Sequence, residues 1–370
     1  MKVLMVADAR SIHTRRWAVS LSQRGVDVVL FSLYPTTDCF FENHIIPYYE
    51  YDLFRYKKIN GIRRLNGLIG MHCDAVRRLR KIITDEHPDI VHAHYATSIG
   101  LVAALSCFHP FLISVWGSDV YEFPFQSLVN RFSLKYIFRK ADRILSTSNV
   151  MSRQVSRFTS KKVLITPFGV DTELFRQLSS TDCDRGFVVG NVKTLSPKYG
   201  IDVLIRAFKI VHDSNPGIST RLVIVGDGPC REEYEQLAVS LEIGDSVSFA
   251  GRIDNSILPR FYNSFSVAVS LSRQESFGVV AVESMSCGCP VVVSDADGFK
   301  EVVQDGVTGF VVRRDDPQAA AAAIQRFIDN PSLRTIMGTS GRARVKSMYD
   351  WNDNVSTMLD IYRDVLRFFA

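Results

Sequence analysis

Short apolar runs alternate with longer stretches of mixed polarity along most of the chain. Val3–Ala7 reads as a strand. Ser11 to Arg24 then puts Trp17, Ala18 and Leu21 on one side of a helix, Gly25 ends it, and Val26–Phe31 is a second strand. This is the β-α-β opening of an open parallel sheet. Residues 89–94 and Phe111–Val115 continue it, a helix, a strand and a helix follow to Arg157, and 163–171 closes a first domain. Residues 172–185 are polar and read as a linker. The alternation then resumes. Phe187–Gly190 is a strand, a helix follows with Ile201, Leu204, Ile205 and Phe208 on one face, and Arg221–Val225, Val247–Phe249 and Val267–Leu271 are strands. Gly278–Met285 is a helix of small residues, Pro290–Val293 a strand and Ala319–Phe327 a helix. The last periodic stretch, Val355–Phe369, reads as a helix returning to the first domain. The pattern predicts an α/β protein of two doubly wound, Rossmann-like parallel-sheet domains facing a cleft, over 1–171 and 186–345, with 346–370 packed on the first domain.

Composition narrows this without changing it. A length of 370 residues suits two domains, and 46% hydrophobic with 22% charged residues is globular. Met1-Lys2 leads into a short apolar run and then Asp8 and Arg10, so no secretory signal is expected. His109-Pro110 splits the weakly polar stretch Ile99–Trp116 into a core helix and a strand, which argues against a membrane span. Seven scattered cysteines predict reduced thiols and a cytoplasmic location, with Cys287 and Cys289 as small buried groups rather than metal ligands. The net charge of +5 is uneven: residues 1–170 carry 23 Lys and Arg against 13 Asp and Glu, the remainder 21 against 26. Residues 34–64 read as irregular and aromatic, and Arg55, Lys57, Lys58, Arg63, Arg64, Arg77, Arg78, Arg80 and Lys81 follow or interleave. Such a run is either a solvated face or a peripheral contact with an anionic membrane surface. No nucleic-acid module is visible, and no nucleic-acid partner is expected.

Chemistry concentrates at strand ends. No Gly-x-Gly-x-x-Gly follows the first strand, which weakens a dinucleotide oxidoreductase reading; Ala9-Arg-Ser-Ile-His13 stands there, with Ser11 and His13 placed to face the cleft. His92 and His94 end a strand but lack a third metal ligand. The most informative stretch is Glu275-Ser-Phe-Gly-Val-Val-Ala-Val-Glu283, two carboxylates eight positions apart. Glu275 falls in a strand-to-helix loop and Glu283 inside the helix. The amides of Phe277, Gly278 and Val279 stand at the helix's positive end, where phosphate binds well. A pyrophosphate there would have one carboxylate for a sugar on each side.

This stretch resembles the signature of the retaining nucleotide-sugar glycosyltransferases of family 4, which have the two-domain GT-B architecture. The resemblance implies that Glu275 contacts the transferred sugar and Glu283 holds the nucleotide ribose. Lys193 and Lys198 match an Arg and a Lys on the donor pyrophosphate; Lys193 keeps the charge but loses the bidentate fork. Gly226-Asp-Gly-Pro229 is a turn typical of the family, and Gly251-Arg252 matches residues beside the nucleobase. Gly298, Glu301 and Gly309 fit the turn-rich tail. Trp116-Gly117-Ser118-Asp119 resembles the family's His-Gly-x-Asp turn with Trp in place of His, so Trp116 and Asp119 are expected in the acceptor and sugar pocket. The resemblance is strong over 163–315 and loose before it. It implies sugar transfer from a nucleoside diphosphate sugar to a glycan or lipid-linked glycan acceptor, in cell-surface glycan or glycolipid assembly. It implies no cofactor and no metal, since lysines face the leaving phosphate. A sugar-nucleotide epimerase and a non-catalytic sugar-nucleotide-binding scaffold remain as alternatives.

Overall fold

The computed structural model describes residues 1–52, 64–178 and 186–369, with side chains from 72 onward in the second of these segments. Arg55, Lys57, Lys58 and Arg63 of the basic stretch lie outside the described residues, as do positions 179–185 of the expected linker. The chain divides into two compact units, Met1–Pro167 with Asp353–Ala370, and Phe168–Asn352.

The first unit opens β1 (Lys2–Val6), α1 (Ile12–Gln23), β2 (Asp27–Ser32), α2 (Phe40–Asn43) and β3 (Tyr48–Glu50). It continues α3 (Arg64–Glu86), β4 (Ile90–His94), α4 (Ser98–Ser106), β5 (Phe111–Val115), α5 (Ser118–Tyr121), α6 (Phe123–Gln126) and α7 (Leu128–Lys140). β6 (Arg143–Ser146), α8 (Asn149–Val155) and β7 (Val163–Ile165) complete a parallel sheet of order β3-β2-β1-β4-β5-β6-β7. Strands buried on both faces carry unbroken apolar runs, as Val3 to Val6 do. The stretch after residue 34, read as irregular, holds α2 and β3. β3 is a three-residue edge strand that, among the described residues, pairs only with β2, too short for its Tyr-Tyr-Glu to show periodicity.

The second unit contains β8 (Phe187–Val192), α9 (Ile201–Ser214), β9 (Thr220–Val225), α10 (Arg231–Ser240), β10 (Val247–Gly251) and α11 (Leu258–Ser264). β11 (Val267–Ser270), α12 (Val279–Ser286), β12 (Val291–Ser294), α13 (Asp297–Val302), β13 (Gly309–Val312), α14 (Pro317–Asp329) and α15 (Ser332–Met348) follow. Its sheet is also parallel, in the order β10-β9-β8-β11-β12-β13. The last helix, α16 (Trp351–Phe369), begins at the end of the second unit and joins the first from Asp353. It buries Val355, Met358, Leu359, Tyr362 and Val365, and the Tyr362 hydroxyl meets His92 Nδ1 at 2.7 Å.

The boundary differs from the one expected at 171. Val170 and the α15–α16 connection exchange backbone bonds, Val170 N to Tyr349 O at 2.8 Å and Trp351 N to Val170 O at 2.9 Å. Phe175 is buried, and its carbonyl accepts the Ser286 hydroxyl. Residues 168–175 therefore belong to the second unit's core rather than to a loose linker.

Candidate functional site

In a doubly wound sheet, loops diverge where the strand order reverses, and ligands collect outside the strand C-termini there. In the second unit that point lies between β8 and β11. Lys193 leaves the end of β8 and Glu275 lies in the loop after β11. Their side chains meet, Lys193 Nζ to Glu275 Oε2 at 2.7 Å, with only 14 and 12% exposure. The Ser272 hydroxyl donates to the same oxygen at 3.4 Å, and the Tyr199 ring lies 4.6 Å from the ammonium. A pair this far from solvent is less screened than a surface pair, and removing one partner strands the other.

Two glycine devices shape the loops. Lys193 N donates to Val225 O at 2.9 Å and Leu195 N to Asp227 O at 3.1 Å, which presses the β8 loop onto the β9 turn. A Cβ on Gly226 would lie 2.0 Å from Lys193 O, so only glycine permits that approach. Gly226 N also donates to Gly251 O at 2.8 Å, which brings Arg252 beside the same turn. Thr194, Gly226, Asp227, Gly228 and Arg252 line an open cavity of about 730 Å³. On the other side, Gly298 N holds Glu275 O at 3.0 Å, and Gly278, at φ 101°, opens α12. The first turn of α12 begins at Val279, and its leading amides have no partner within a helix.

Lys198 sits in a single 3₁₀ turn, Pro197–Tyr199. Its carbonyl accepts Arg273 N at 2.9 Å, and the Arg273 guanidinium forks onto Asp202 at 3.0 and 2.7 Å and reaches Asp315 at 2.7 Å. Arg273 thus staples the Lys198 turn to the loop that carries Glu275. The sequence reading passed over it, although an Arg two places before a key carboxylate is a visible signal. Phe277 is buried, edge-on to Phe168 and Tyr349 at centroid distances of 6.3 and 5.5 Å, so its ring anchors the loop and leaves only its backbone to a ligand. Glu283, in α12, accepts the Tyr262 hydroxyl at 2.8 Å. Burial, then the adjacent carboxylate, holds that phenol well above its usual pKa, so it stays a donor. Tyr262 was also missed; it lies on α11, and its approach to Glu283 is purely tertiary.

In the first unit, β1, β4 and β5 end beside one another. Ser11 precedes α1, donating its amide to Asp8 O at 3.1 Å, with no side-chain cap. His13 lies in the first turn, its ring centroid 5.8 Å from Trp116. Trp116 is 5.0 Å from His94, and His94 is 4.4 Å from His92. His92 is satisfied by the Tyr362 hydroxyl and by Ser114 Oγ at 2.9 Å, whereas both His94 ring nitrogens are buried with no partner among the described residues. Burial, then the Arg16 charge, lowers the His13 pKa to about 4, and burial lowers that of His94 to about 3. All three rings are neutral near pH 7.

Asp119 does not line a pocket as expected. It is fully buried and accepts the amides of Ala96 at 2.9 Å, Gly117 at 2.8 Å and Trp116 at 3.2 Å. It orients the turn that presents Trp116, and burial lifts its pKa to about 6. Cys287 and Cys289 are free buried thiols, and burial pushes Cys289 up to about 12. Among the described residues no group of three His, Cys, Asp or Glu side chains is placed to hold a metal ion, and no helix is long and apolar enough to cross a membrane.

Two family models match the chain: "Glycosyl transferase 4-like" over residues 2–148 and "Glycosyl transferases group 1" over residues 179–344. An uncharacterized glycosyltransferase of Methanocaldococcus jannaschii is 28% identical over 331 residues, covering 88% of this chain and 90% of that protein. A D-inositol 3-phosphate glycosyltransferase of Acidothermus cellulolyticus is 34% identical over 244 residues, covering 61% of this chain and 54% of that protein. Among solved structures, sucrose-phosphate synthase from Thermosynechococcus elongatus superposes with a TM-score of 0.80 at 22% identity, covering 99% of both chains. Anabaena HepE in complex with UDP and glucose gives 0.80 at 20% identity, covering 98% of this chain and 100% of that one. At these identities the structures establish a shared fold.

Proposed function

Because the chain belongs to the group 1, 4-like glycosyltransferases and has their two-domain fold, we propose that it moves a hexose from a nucleoside diphosphate sugar to an acceptor hydroxyl with retention of configuration. The observation that carries this is the half-buried Lys193–Glu275 pair at the reversal point of the second sheet. The barrier to transfer lies in charge: the sugar turns oxocarbenium-like as the diphosphate departs. In this reading Lys193, Lys198 and the amides of Phe277, Gly278 and Val279 meet the phosphate charge. Glu275, fixed by Ser272 and by the Gly298 tether, faces the anomeric side of the sugar. Removing a preorganised contact of this kind costs ~10²–10³ in rate. Glu283, held by Tyr262, grips the ribose, while Gly251 and Arg252 flank the base. The departing phosphate takes up the acceptor proton on the face it leaves. No metal is assigned a part.

The acceptor belongs to the first unit, where His13 and Trp116 form a neutral aromatic wall suited to a sugar or polyol face. The relatives that act on D-inositol 3-phosphate make hydroxyl-rich acceptors a first choice, and lipid-linked glycans of cell-surface or glycolipid assembly a second. HepE's complex with UDP-glucose makes uridine sugars the first donors to test. A thermal-shift screen of uridine and guanosine diphosphate sugars, followed by proton NMR of the product, tests the reading, because bound ligand raises apparent stability. The product should keep the donor's anomeric configuration. An inverted linkage overturns the retaining assignment, an altered sugar nucleotide without acceptor means an epimerase, and binding without turnover across acceptors means a scaffold.

A further inference from the structure

We infer that the Lys193–Glu275 pair is a latch opened by the donor: the diphosphate draws the Lys193 ammonium off Glu275, and the carboxylate is released to the sugar only once the donor is seated. The latch deepens the proposed function and rests on it for where the diphosphate lies. The two charges already satisfy one another, Lys193 Nζ standing 2.7 Å from Glu275 Oε2. The Tyr199 ring faces the same ammonium at 4.6 Å, and the Ser272 hydroxyl donates to the same carboxylate oxygen at 3.4 Å. At 14 and 12% exposure the pair is little screened, so it competes with an arriving anion.

The backbone is pinned on both sides of the pair. Lys193 N donates to Val225 O, and Gly226 packs against Lys193 O more closely than any Cβ would allow. Glu275 O is held by Gly298 N. The exchange is therefore left to the two side chains, and lysine suits it, with a compact charge on a flexible stem. An arginine fork could hold a carboxylate along one edge and a phosphate along the other, whereas one ammonium is a single point charge. Glu275 lies shortly before Val279, where α12 begins and where the proposed function places the phosphates. A diphosphate brought to Lys193 sets its own negative charge beside that of Glu275, and the two anions contend for one cation. The more highly charged diphosphate attracts the ammonium more strongly than one carboxylate does, which is the difference in affinity that shifts the latch. When the nucleoside diphosphate product leaves, the pair re-forms in its place.

Calorimetry with UDP and GDP tests the latch in a double-mutant cycle of the full chain, Glu275→Gln, Lys193→Ala and the two together. Free nucleoside diphosphates carry no sugar, so they report the exchange without any contact between Glu275 and the sugar. Glu275→Gln should tighten their binding ~5–10-fold when Lys193 is present, and by less than about 2-fold in the Lys193→Ala background. Plain repulsion between Glu275 and phosphate gives the same gain in both backgrounds, and that result overturns the latch. So does an affinity that Glu275→Gln leaves unchanged or weakens, because the pair then persists in the complex. Urea melts follow folding in all four proteins. The double variant strands no charge, and if Lys193→Ala unfolds, Lys193→Gln, which keeps an N–H donor, completes the cycle. A crystal of the UDP complex should show Lys193 Nζ on a phosphate oxygen with the Glu275 carboxylate turned off it, and an unbroken pair there overturns the latch. Folded full-length chain that binds neither nucleotide sinks the transferase reading and the latch with it, whereas binding without the coupling sinks the latch alone.

Discussion

The Glu275 and Glu283 carboxylates come from one nine-residue stretch, yet their partners differ, Lys193 for one and Tyr262 for the other, and the proposed function gives them different work. Glu283 is held by a neutral phenol, and in the proposed function it grips the ribose, a part of the donor that does not change during transfer. Glu283→Ala should raise donor KM ~10–100-fold with kcat little altered, because such binding acts alike on ground and transition states. Tyr262→Phe should give a milder form of the same effect, a several-fold rise worth about 1 kcal/mol. Glu275→Gln should instead lower kcat ~10²–10³ with donor affinity within a few-fold. Steady-state kinetics with donor varied checks all three. The stacked histidines make a separate prediction. His92 and His94 are buried and neutral, with pKa values held below the usual 6.5, His94 at about 3. A folded value below the unfolded one gives stability that is complete above about pH 6.5 and drains as pH falls towards the folded value. Asp119 works oppositely, its share complete below the usual 3.8 and lost as pH rises through about 6. His94→Leu should leave stability near pH 7 within about 1 kcal/mol, since no hydrogen bond is lost, and should flatten the acid decline. His92→Leu, which strands Tyr362 and Ser114, should cost about 1–3 kcal/mol near pH 7. Urea unfolding near neutral pH and near pH 4.5 reads both.

At the scale of elements, the strand-to-helix loops to which the proposed function assigns the chemistry are positioned by contacts from outside their own sequence. The Lys198 turn has only three helical residues, and Arg273 of the Glu275 loop holds it through the Pro197 and Lys198 carbonyls while its guanidinium is fixed by Asp202 and Asp315. Arg273→Ala should therefore raise donor KM and lower kcat together by ~10-fold, through misplacement of Lys198 rather than loss of a contact to substrate. The stability cost should stay near ~1 kcal/mol because these ion pairs are about one third exposed. Arg273→Lys should rescue only partly, since it keeps the charge without the fork. Product diphosphate binding by calorimetry, set beside urea melts, distinguishes displacement from unfolding.

For the molecule as a whole, α16 is the element through which chain order and spatial order part. It follows the second unit in sequence and packs with the first, where its Tyr362 meets His92. Ending the chain after Asp350 would uncover the site of Val355, Met358, Leu359, Tyr362 and Val365 and leave buried His92 without its hydroxyl partner. The loss should exceed ~5 kcal/mol, comparable to the whole margin of a typical domain. Limited proteolysis should then cut residues 1–167 first and spare 186–345. Equal resistance of both units would mean that α16 contributes little to the first.

How much of this was readable before folding follows from the range of each interaction. Periodicity and local motifs predicted the strand–helix alternation, the crossing back of the last helix, the glycine turn at 226–229 and the loop-to-helix stretch at 275–283, because parallel strands buried on both faces advertise themselves as apolar runs. Short or edge elements such as β3 escaped, having too few residues for a period. Side-chain burial escaped as well: Asp119 sits in the expected turn but points inward, and residues 168–175 pack on the second unit. Tyr262 and Asp202 carried no local mark, since each acts on a residue from another element. Local pattern therefore determined where the strand-to-helix loops and their glycine turns fall. Tertiary packing alone decided which side chains in them remain available, because hydrogen-bond partners and burial are supplied across the sheet and not along the chain.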